Sequence, residues 1–218
     1  MISDTVQDVA QAAHDVGLAA WLGGAMFGKF AHNPSLRLIA SHSERGKVSN
    51  AAWNGYNVVN AIGLGSAAVA YFAARQTELS GDNLSDREQS LATGMDVLMA
   101  TSVVTGIANG VLGASLARQA PEGAVPVETG TVPAVETPPR AARIQRAIGF
   151  FGTLNIVSGV LLVAANALFR RHAFSRPATG RALTRGSSRR DGPSSLAVGA
   201  VVGGLAAAGN ALSRRVGS

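Results

Sequence analysis

Residues 51–74 read AAWNGYNVVNAIGLGSAAVAYFAA, a run of 24 residues in which no side chain carries a charge. Two further runs have the same character: residues 97–117, VLMATSVVTGIANGVLGASLA, and residues 147–169, AIGFFGTLNIVSGVLLVAANALF. A hydrocarbon core about 30 Å thick needs roughly 20 helical residues at about 1.5 Å each, so each run is long enough to cross it. Together they predict an all-α fold, a polytopic membrane helical bundle.

Two other hydrophobic segments are less regular. The uncharged stretch 16–28 reaches a spanning length only when it is extended to 9–31, which includes Lys29 at an end where a lysine can snorkel to the interface. Residues 194–212 are uncharged but consist mostly of Ala, Gly, Val and Ser, which places them near the threshold of insertion. We therefore predict four transmembrane helices, at about 9–31, 51–74, 91–117 and 147–169. Residues 194–212 form a candidate fifth helix that either spans or lies on the surface.

Polar segments divide the chain between these helices. Residues 1–118 would form the first helical hairpin and the third span. Residues 119–146 contain five prolines among Val, Thr and Glu. This composition favours an extended, polyproline-like linker over a packed structure. Residues 170–193 are rich in Arg, Ser and Gly, and we expect them to be flexible unless lipid headgroups or a partner hold them.

The positive charge is concentrated in the tail. Residues 170–218 hold nine arginines and a single acidic residue, so the tail alone carries +8 while the whole chain carries +6. A basic cluster that directly follows a span sets topology and attracts anionic lipid headgroups, at about 1 kcal/mol per residue near the surface. We therefore assign anionic lipid contact to Arg170, Arg171 and Arg176. A nucleic acid partner is disfavoured, because no aromatic platform or folded motif accompanies the arginines.

The basic residues also bear on topology. Four spans with both termini in the cytoplasm place eleven basic residues inside and eight outside, whereas five spans with the amino terminus outside give ten against nine. We favour the four-span arrangement in a bacterial plasma membrane.

Small residues predict how the spans pack. Lipid gives helices no hydrophobic reason to associate, so close approach over glycine and interhelical hydrogen bonds must supply the attraction. Three glycine pairs have the spacing of four residues that places both on one helix face: Gly24 with Gly28, Gly106 with Gly110, and Gly199 with Gly203. Gly159 shares a face of the fourth span with an asparagine. The predicted packing residues are Gly24, Gly28, Gly106, Gly110 and Gly159.

Asparagines are the main polar residues of the spans. Asn57 and Asn60 lie within one turn of each other in the second span, Asn109 lies in the third, and Asn155 lies in the fourth. Each can donate and accept a hydrogen bond across a helix interface, with a typical value of about 0.6 kcal/mol. We favour this packing role over contact with a transported ion.

Asp96 is the candidate for ion or proton contact. A carboxylate within a span must be protonated, paired or close to water, and such residues often mark an ion pathway. The alternative is a residue at the headgroup boundary where the third span begins. A proton- or cation-linked site would combine Asp96 with the asparagines named above.

Enzyme and metal chemistry find little support in the residues. The chain has no cysteine, and it contains neither a zinc-binding HExxH motif nor a phosphate-binding glycine loop between a strand and a helix. His14 and Asp15 would need further ligands to hold a metal, and the remaining histidines lie outside the spans. We expect no catalytic residues, no metal and no cofactor.

Residues 14–28, HDVGLAAWLGGAMFG, resemble the first span of small bacterial membrane proteins, including copper-resistance D type proteins. Together with residues 53–63, WNGYNVVNAIG, the chain is also similar to uncharacterised actinobacterial integral membrane proteins with four predicted spans. The resemblance implies a four-helix membrane bundle and no established activity.

Two functions from different classes follow from these observations. The first is a non-enzymatic membrane scaffold or accessory subunit that associates with another membrane protein or with further copies of itself. The second is a small transporter or channel with a proton- or cation-linked site at Asp96.

Overall fold

The computed structural model describes residues 4–76, 84–120 and 124–174 of the 218-residue chain. Every regular element in these ranges is helical. The α-helices are α1 (Asp4–Phe27), α2 (Asn33–Ser35), α3 (His42–Gln76), α4 (Asp86–Ala117) and α5 (Pro139–Phe174). Between α1 and α3 the chain also forms one π-helical turn, Gly28–His32, and one 3-10 turn, Leu36–Leu38.

Three of these helices are long and apolar enough to cross a membrane: α3, α4 and the part of α5 from Pro139 to Phe169. The prediction of an all-α membrane bundle is confirmed to this extent. Helix α1 is not among the three, so the four-span and five-span arrangements remain predictions. The long helices also begin earlier than the apolar runs do, at His42, Asp86 and Pro139, so each carries a polar first section.

The start of α4 shows why these sections are helical. Ser85 caps the helix, and its backbone N–H donates to Glu88 Oε2 over 2.9 Å while its hydroxyl donates to the same oxygen over 2.7 Å. Asp86 and Glu88 place negative charge in the first turn, where the helix dipole favours it. Helix α5 begins instead with Pro139, whose missing N–H costs nothing in the first turn.

The helices associate as two antiparallel pairs, α1 with α3 and α4 with α5. The buried core lies where the pairs meet, and it includes Leu18, Trp21, Leu64, Ala67, Met95, Met99 and Leu162. We call the end of the bundle where α1 ends and α3 begins the clasp end. The other end carries the carboxyl end of α3 and the start of α4.

Glycines allow the close approach of these helices, as the spacing suggested. A Cβ atom on Gly63 of α3 would lie 2.8 Å from the carbonyl oxygen of Gly17 on α1. Of the predicted packing residues, Gly24 lies against Tyr56, Gly28 against Trp53, Gly106 against Leu64 and Gly159 against Trp21. Gly110 lies on the exposed surface of α4, where a Cβ would meet no described atom within 4 Å, so its packing role stays a prediction.

The proline-rich segment is folded where the structure describes it. Residues 124–138, which we call the clasp, pack against the first turns of α3, and the following residues already belong to α5. Val125 and Val127 are buried there, and the Val127 N–H donates to the carbonyl of His42 over 3.1 Å. Gly46 provides the space, since a Cβ atom would collide with the carbonyl oxygen of Val125. The expectation of an extended linker is wrong for these residues, because the apolar side chains between the prolines find a surface to cover.

The basic tail lies mostly beyond the described ranges. Arg170 and Arg171 continue α5, and the side chain of Arg171 is exposed. Arg176, the rest of the arginine-rich segment and residues 194–212 lie outside the residues that the structure describes.

Candidate functional site

A hydrogen-bonded network occupies the middle of the bundle, and Asn155 is its centre. Asn155 Oδ1 accepts a hydrogen bond of 3.0 Å from the indole N–H of Trp21 on α1. Its Nδ2 donates to the backbone carbonyl of Ser102 and to the hydroxyl of Thr105, both on α4 and both over 2.8 Å. One amide therefore joins three helices near the middle of the apolar run 147–169.

Hydroxyl groups extend this network between α4 and α5. Ser102 Oγ and Ser158 Oγ lie 2.8 Å apart, and Ser158 also donates to the carbonyl of Asn155 over 3.0 Å. Ser102 is 0% exposed and Ser158 2% exposed. Buried hydroxyls that are satisfied in this way hold helices together and leave no group directed at a ligand.

Asn109 also binds its neighbouring helix. With the amide oriented to satisfy both of its ends, its Nδ2 donates to the carbonyl of Ile148 over 3.3 Å and its Oδ1 accepts from the N–H of Gly152 over 3.2 Å. Asn109 therefore links α4 to the backbone of α5, one to two turns nearer the clasp end than Asn155.

Asp96 forms an ion pair at the opposite end of the bundle. Arg75 of α3 approaches the carboxylate with two nitrogens, Nε at 3.0 Å from Oδ1 and Nη2 at 2.9 Å from Oδ2. The hydroxyl of Tyr71 donates to Asp96 Oδ1 over 2.6 Å. A carboxylate held by a bidentate guanidinium and a phenol has its charge compensated.

This pairing was not foreseen from the sequence, which offered no basic partner inside a span. Arg75 directly follows the second apolar run, and Asp96 directly precedes the third. Residues on either side of the turn between two antiparallel helices lie at the same depth in the membrane. The opposite charges of Arg75 and Asp96 could therefore have predicted their pairing. The side chains of Arg75 and Asp96 are 18% and 35% exposed, which fits a pair at the membrane boundary.

The asparagines of α3 lie apart from these groups. Asn57 is exposed on the outer surface of the bundle. Asn60 is half-buried, and its Oδ1 has no hydrogen-bond partner among the described residues. No hydrogen bond within the described ranges joins Asp96 to any of the four asparagines, so the structure does not assemble the predicted residues into one site.

Buried charge is found at the clasp end, where no feature of the sequence had predicted it. The guanidinium of Arg45 donates to the carbonyl of Ile39 over 2.7 Å and to that of Arg37 over 3.4 Å. It also binds Glu128 of the clasp, through the side-chain oxygen at 3.0 Å and the backbone carbonyl at 3.2 Å. Arg45 therefore ties the clasp to the start of α3.

His42 lies between two carboxylates of the clasp. Its Nε2 is 3.0 Å from Glu128 Oε2, and its Nδ1 is 3.0 Å from Glu136 Oε2. Both ring nitrogens donate at once only when the imidazole is protonated. A hydrogen bond from its own backbone N–H, together with the one from His42, holds the pKa of Glu136 below its ordinary value.

No protein-family model, curated protein or solved structure matches this chain. The resemblance of residues 14–28 to copper-resistance D type proteins and to actinobacterial membrane proteins therefore stays a prediction.

Proposed function

We propose that the protein is a non-enzymatic membrane scaffold or accessory subunit, built as a four-span bundle in a bacterial plasma membrane. Helix α1 would be the additional span that brings the number to four, since it packs along α3 and places Trp21 in the bundle centre. The proposal extends to the tail, where Arg170, Arg171 and Arg176 would contact anionic lipid headgroups, and to association with another membrane protein or with further copies of this chain.

One observation carries the proposal: the polar groups in the centre of the bundle bind each other. A closed hydrogen-bonded network crosses three helices and consists of Trp21, Ser102, Thr105, Asn155 and Ser158. A transport pathway needs polar groups directed at a passing ion or at water, whereas these groups form hydrogen bonds that hold the helices together.

The alternative, a proton- or cation-linked site at Asp96, has weaker support. Arg75 compensates the charge of Asp96, and a cation would have to displace a bidentate guanidinium to bind there. Of the asparagines that would continue a pathway, Asn109 and Asn155 bind other helices and Asn57 is exposed. Asn60 is half-buried, and its Oδ1 has no hydrogen-bond partner among the described residues.

The two functions are separated by flux measurements on the full-length chain in liposomes. We expect proton and potassium flux equal to that of protein-free liposomes, for the natural chain and for Asp96→Asn. The matched control is Asn57→Ala, which changes an exposed polar residue outside the network. Flux that exceeds the protein-free level and is lost in Asp96→Asn, but not in Asn57→Ala, would establish the transporter.

Whether α1 crosses the membrane can be tested separately by cysteine labelling. The chain contains no cysteine, so a cysteine introduced by mutation is labelled without background. Single cysteines at Val9 and Val135, which are 64% and 100% exposed, would be labelled in intact cells by a reagent that does not cross membranes. If α1 spans, the two positions lie on opposite sides and only one of them is labelled before lysis. Equal labelling of both would show that α1 does not cross.

A further inference from the structure

A basic recess opens at the clasp end of the bundle, between the π-helical turn after α1 and the clasp. Its volume is about 190 Å³. Seven residues line it: Lys29, Phe30, Asn33, Pro34, Arg37, Thr129 and Thr131. Two of these side chains are cationic, three are polar and none is acidic, so the lining suits an anion.

The two cationic side chains, Lys29 and Arg37, remain able to bind an anion. Lys29 Nζ donates to Thr153 Oγ1 over 2.7 Å, and no carboxylate among the described residues lies within ion-pair distance of it. Arg37 Nε is 4.0 Å from Glu128 Oε1, but the other oxygen of that carboxylate is bound by Arg45 and His42, each at 3.0 Å. The side chain of Arg37 is 63% exposed, and it lines the recess.

The wall of the recess is fixed by buried contacts. Asn33 is 6% exposed, and its Oδ1 accepts a hydrogen bond of 3.4 Å from the indole N–H of Trp53 on α3. The same amide packs directly on Gly130 of the clasp, where a Cβ atom would collide with it. Thr129 is also buried, and its N–H binds the carbonyl of Val132. The recess is therefore formed before any ligand arrives, which lowers the cost of binding.

The backbone that presents the lysine is unusual. Residues Gly28–His32 form a π-helical turn, which continues α1 with a wider winding and rotates the following residues relative to an ordinary helix. Lys29 in this turn, Asn33 in α2 and Arg37 in the 3-10 turn all line the recess, so three successive windings of different pitch present them to it.

The surroundings of the recess indicate an amphipathic ligand. Phe30 in its lining and Phe27 beside it are 64% and 66% exposed. Lys29 reaches Thr153 on the spanning part of α5, so the recess lies where the bundle leaves the hydrocarbon. Exposed aromatic rings next to a basic polar recess at this depth match a lipid, with the acyl chains on the rings and the charged group within.

We propose that this recess binds the phosphate of an anionic phospholipid headgroup. Lys29 and Arg37 contact the phosphate oxygens, while the hydroxyls of Thr129 and Thr131 and the amide of Asn33 offer further hydrogen-bond donors. The site is distinct from the arginine-rich tail, and it does not depend on whether the protein is a scaffold or a transporter.

Native mass spectrometry of the full-length chain in detergent tests the site, with phosphatidylglycerol as the probe and phosphatidylcholine as the comparison lipid. Removing a charge-assisted hydrogen bond typically costs a factor of about ten or more in affinity. We therefore expect Lys29→Met and Arg37→Gln each to weaken the binding of the first phosphatidylglycerol molecule by about tenfold. The matched controls are Lys47→Met and Arg143→Gln, which remove exposed charges outside the recess.

Several results decide the proposal. Equal loss in the recess variants and in the controls would show general charge attraction and overturn it, as would unchanged binding in all four. Thr153→Val removes the hydrogen bond to Lys29 but keeps the ammonium, so phosphatidylglycerol binding should persist in this variant, and its loss would contradict the assigned role of the charge. Inorganic phosphate at millimolar concentration should not displace the lipid, and full displacement would assign the recess to a free phosphate instead.

Discussion

Replacing Asn155 by leucine tests the most central contact of the bundle. Leucine has the same number and branching of side-chain heavy atoms as asparagine and is larger, so the change removes the amide without opening a cavity. It abolishes the hydrogen bonds to Trp21, Ser102 and Thr105 together. If the network holds α1 against α4 and α5, the variant should be substantially less stable.

The magnitude follows from the number of bonds that are lost. Hydrogen bonds between membrane helices average about 0.6 kcal/mol, so three of them contribute about 2 kcal/mol. The indole N–H of Trp21, on a side chain that is 0% exposed, also loses its acceptor. An unsatisfied buried donor adds about 1 kcal/mol or more. We expect Asn155→Leu to lower the free energy of unfolding by about 2 to 4 kcal/mol in total.

Unfolding by sodium dodecyl sulfate in mixed micelles measures this quantity, with tryptophan fluorescence as the signal. The chain has only two tryptophans, Trp21 and Trp53, so Trp21→Phe leaves one reporter. A double-mutant cycle of Trp21→Phe with Asn155→Leu isolates their hydrogen bond, for which we expect a coupling of about 0.6 to 1.7 kcal/mol. The control is Asn57→Leu, which places leucine on an exposed surface and should leave stability unchanged or slightly raised.

Two results would refute the reasoning. A loss of less than about 0.5 kcal/mol in Asn155→Leu, below the average of a single interhelical bond, would show that the network does not hold the helices together. A coupling energy near zero would show that Trp21 and Asn155 are not bonded, even if each single variant is destabilised.

Three further perturbations address the clasp and the ion pair. Gly46→Ala should destabilise the protein by about 1 to 3 kcal/mol through the clash with the clasp, whereas Gly94→Ala, where a Cβ meets no described atom within 4 Å, should not. Arg75→Gln should destabilise it by about 1 kcal/mol, measured by the same micelle titration, and adding Asp96→Asn should restore part of the loss because no uncompensated carboxylate remains. Because the pKa of Glu136 is lowered in the folded state, its contribution is complete above the ordinary value of 4.5 and is lost as the pH falls below it. The protection of the clasp amides against hydrogen exchange, corrected for the intrinsic exchange rate at each pH, should therefore fall below that pH.

Each of these expectations has a result that contradicts it. Equal effects of the two glycine substitutions would remove the argument from close packing. An additive double variant of Arg75 and Asp96 would show that the two groups do not interact. Glu136→Gln should lack this acidic loss of protection, and its persistence in the variant would assign the pH dependence to another group.

The spans were the part of the fold that the sequence predicted best. Charged residues cannot lie in hydrocarbon without a large cost, so their absence over about 20 residues is a direct physical signal. The polar beginnings of α3, α4 and α5 give no such signal, and the predicted boundaries were therefore too short. The clasp was misjudged because composition reports the abundance of proline, while packing depends on where Val125 and Val127 meet the surface around Gly46.

For the polar residues, too, the sequence predicted some features and not others. Asn155 stood out in the sequence because asparagine within an apolar run needs a partner, and the favoured packing role agrees with its contacts. Its partners could not be predicted, since Trp21 lies 134 residues away and serine and threonine satisfy their own helix as readily as a neighbour. The basic recess was missed for the same reason, because Lys29 and Thr129 meet only through the folding of the clasp.

The clasp also imposes an order on the folding of the protein during its synthesis. Helices α1 and α3 can pair as soon as they have entered the membrane, while the second pair is still being synthesised. Arg45 on α3 gains its carboxylate partner only after Glu128, which lies 83 residues later in the chain, has been synthesised. Closure of the clasp therefore requires the later segments, and the start of α3 lacks this tie until Glu128 has been synthesised.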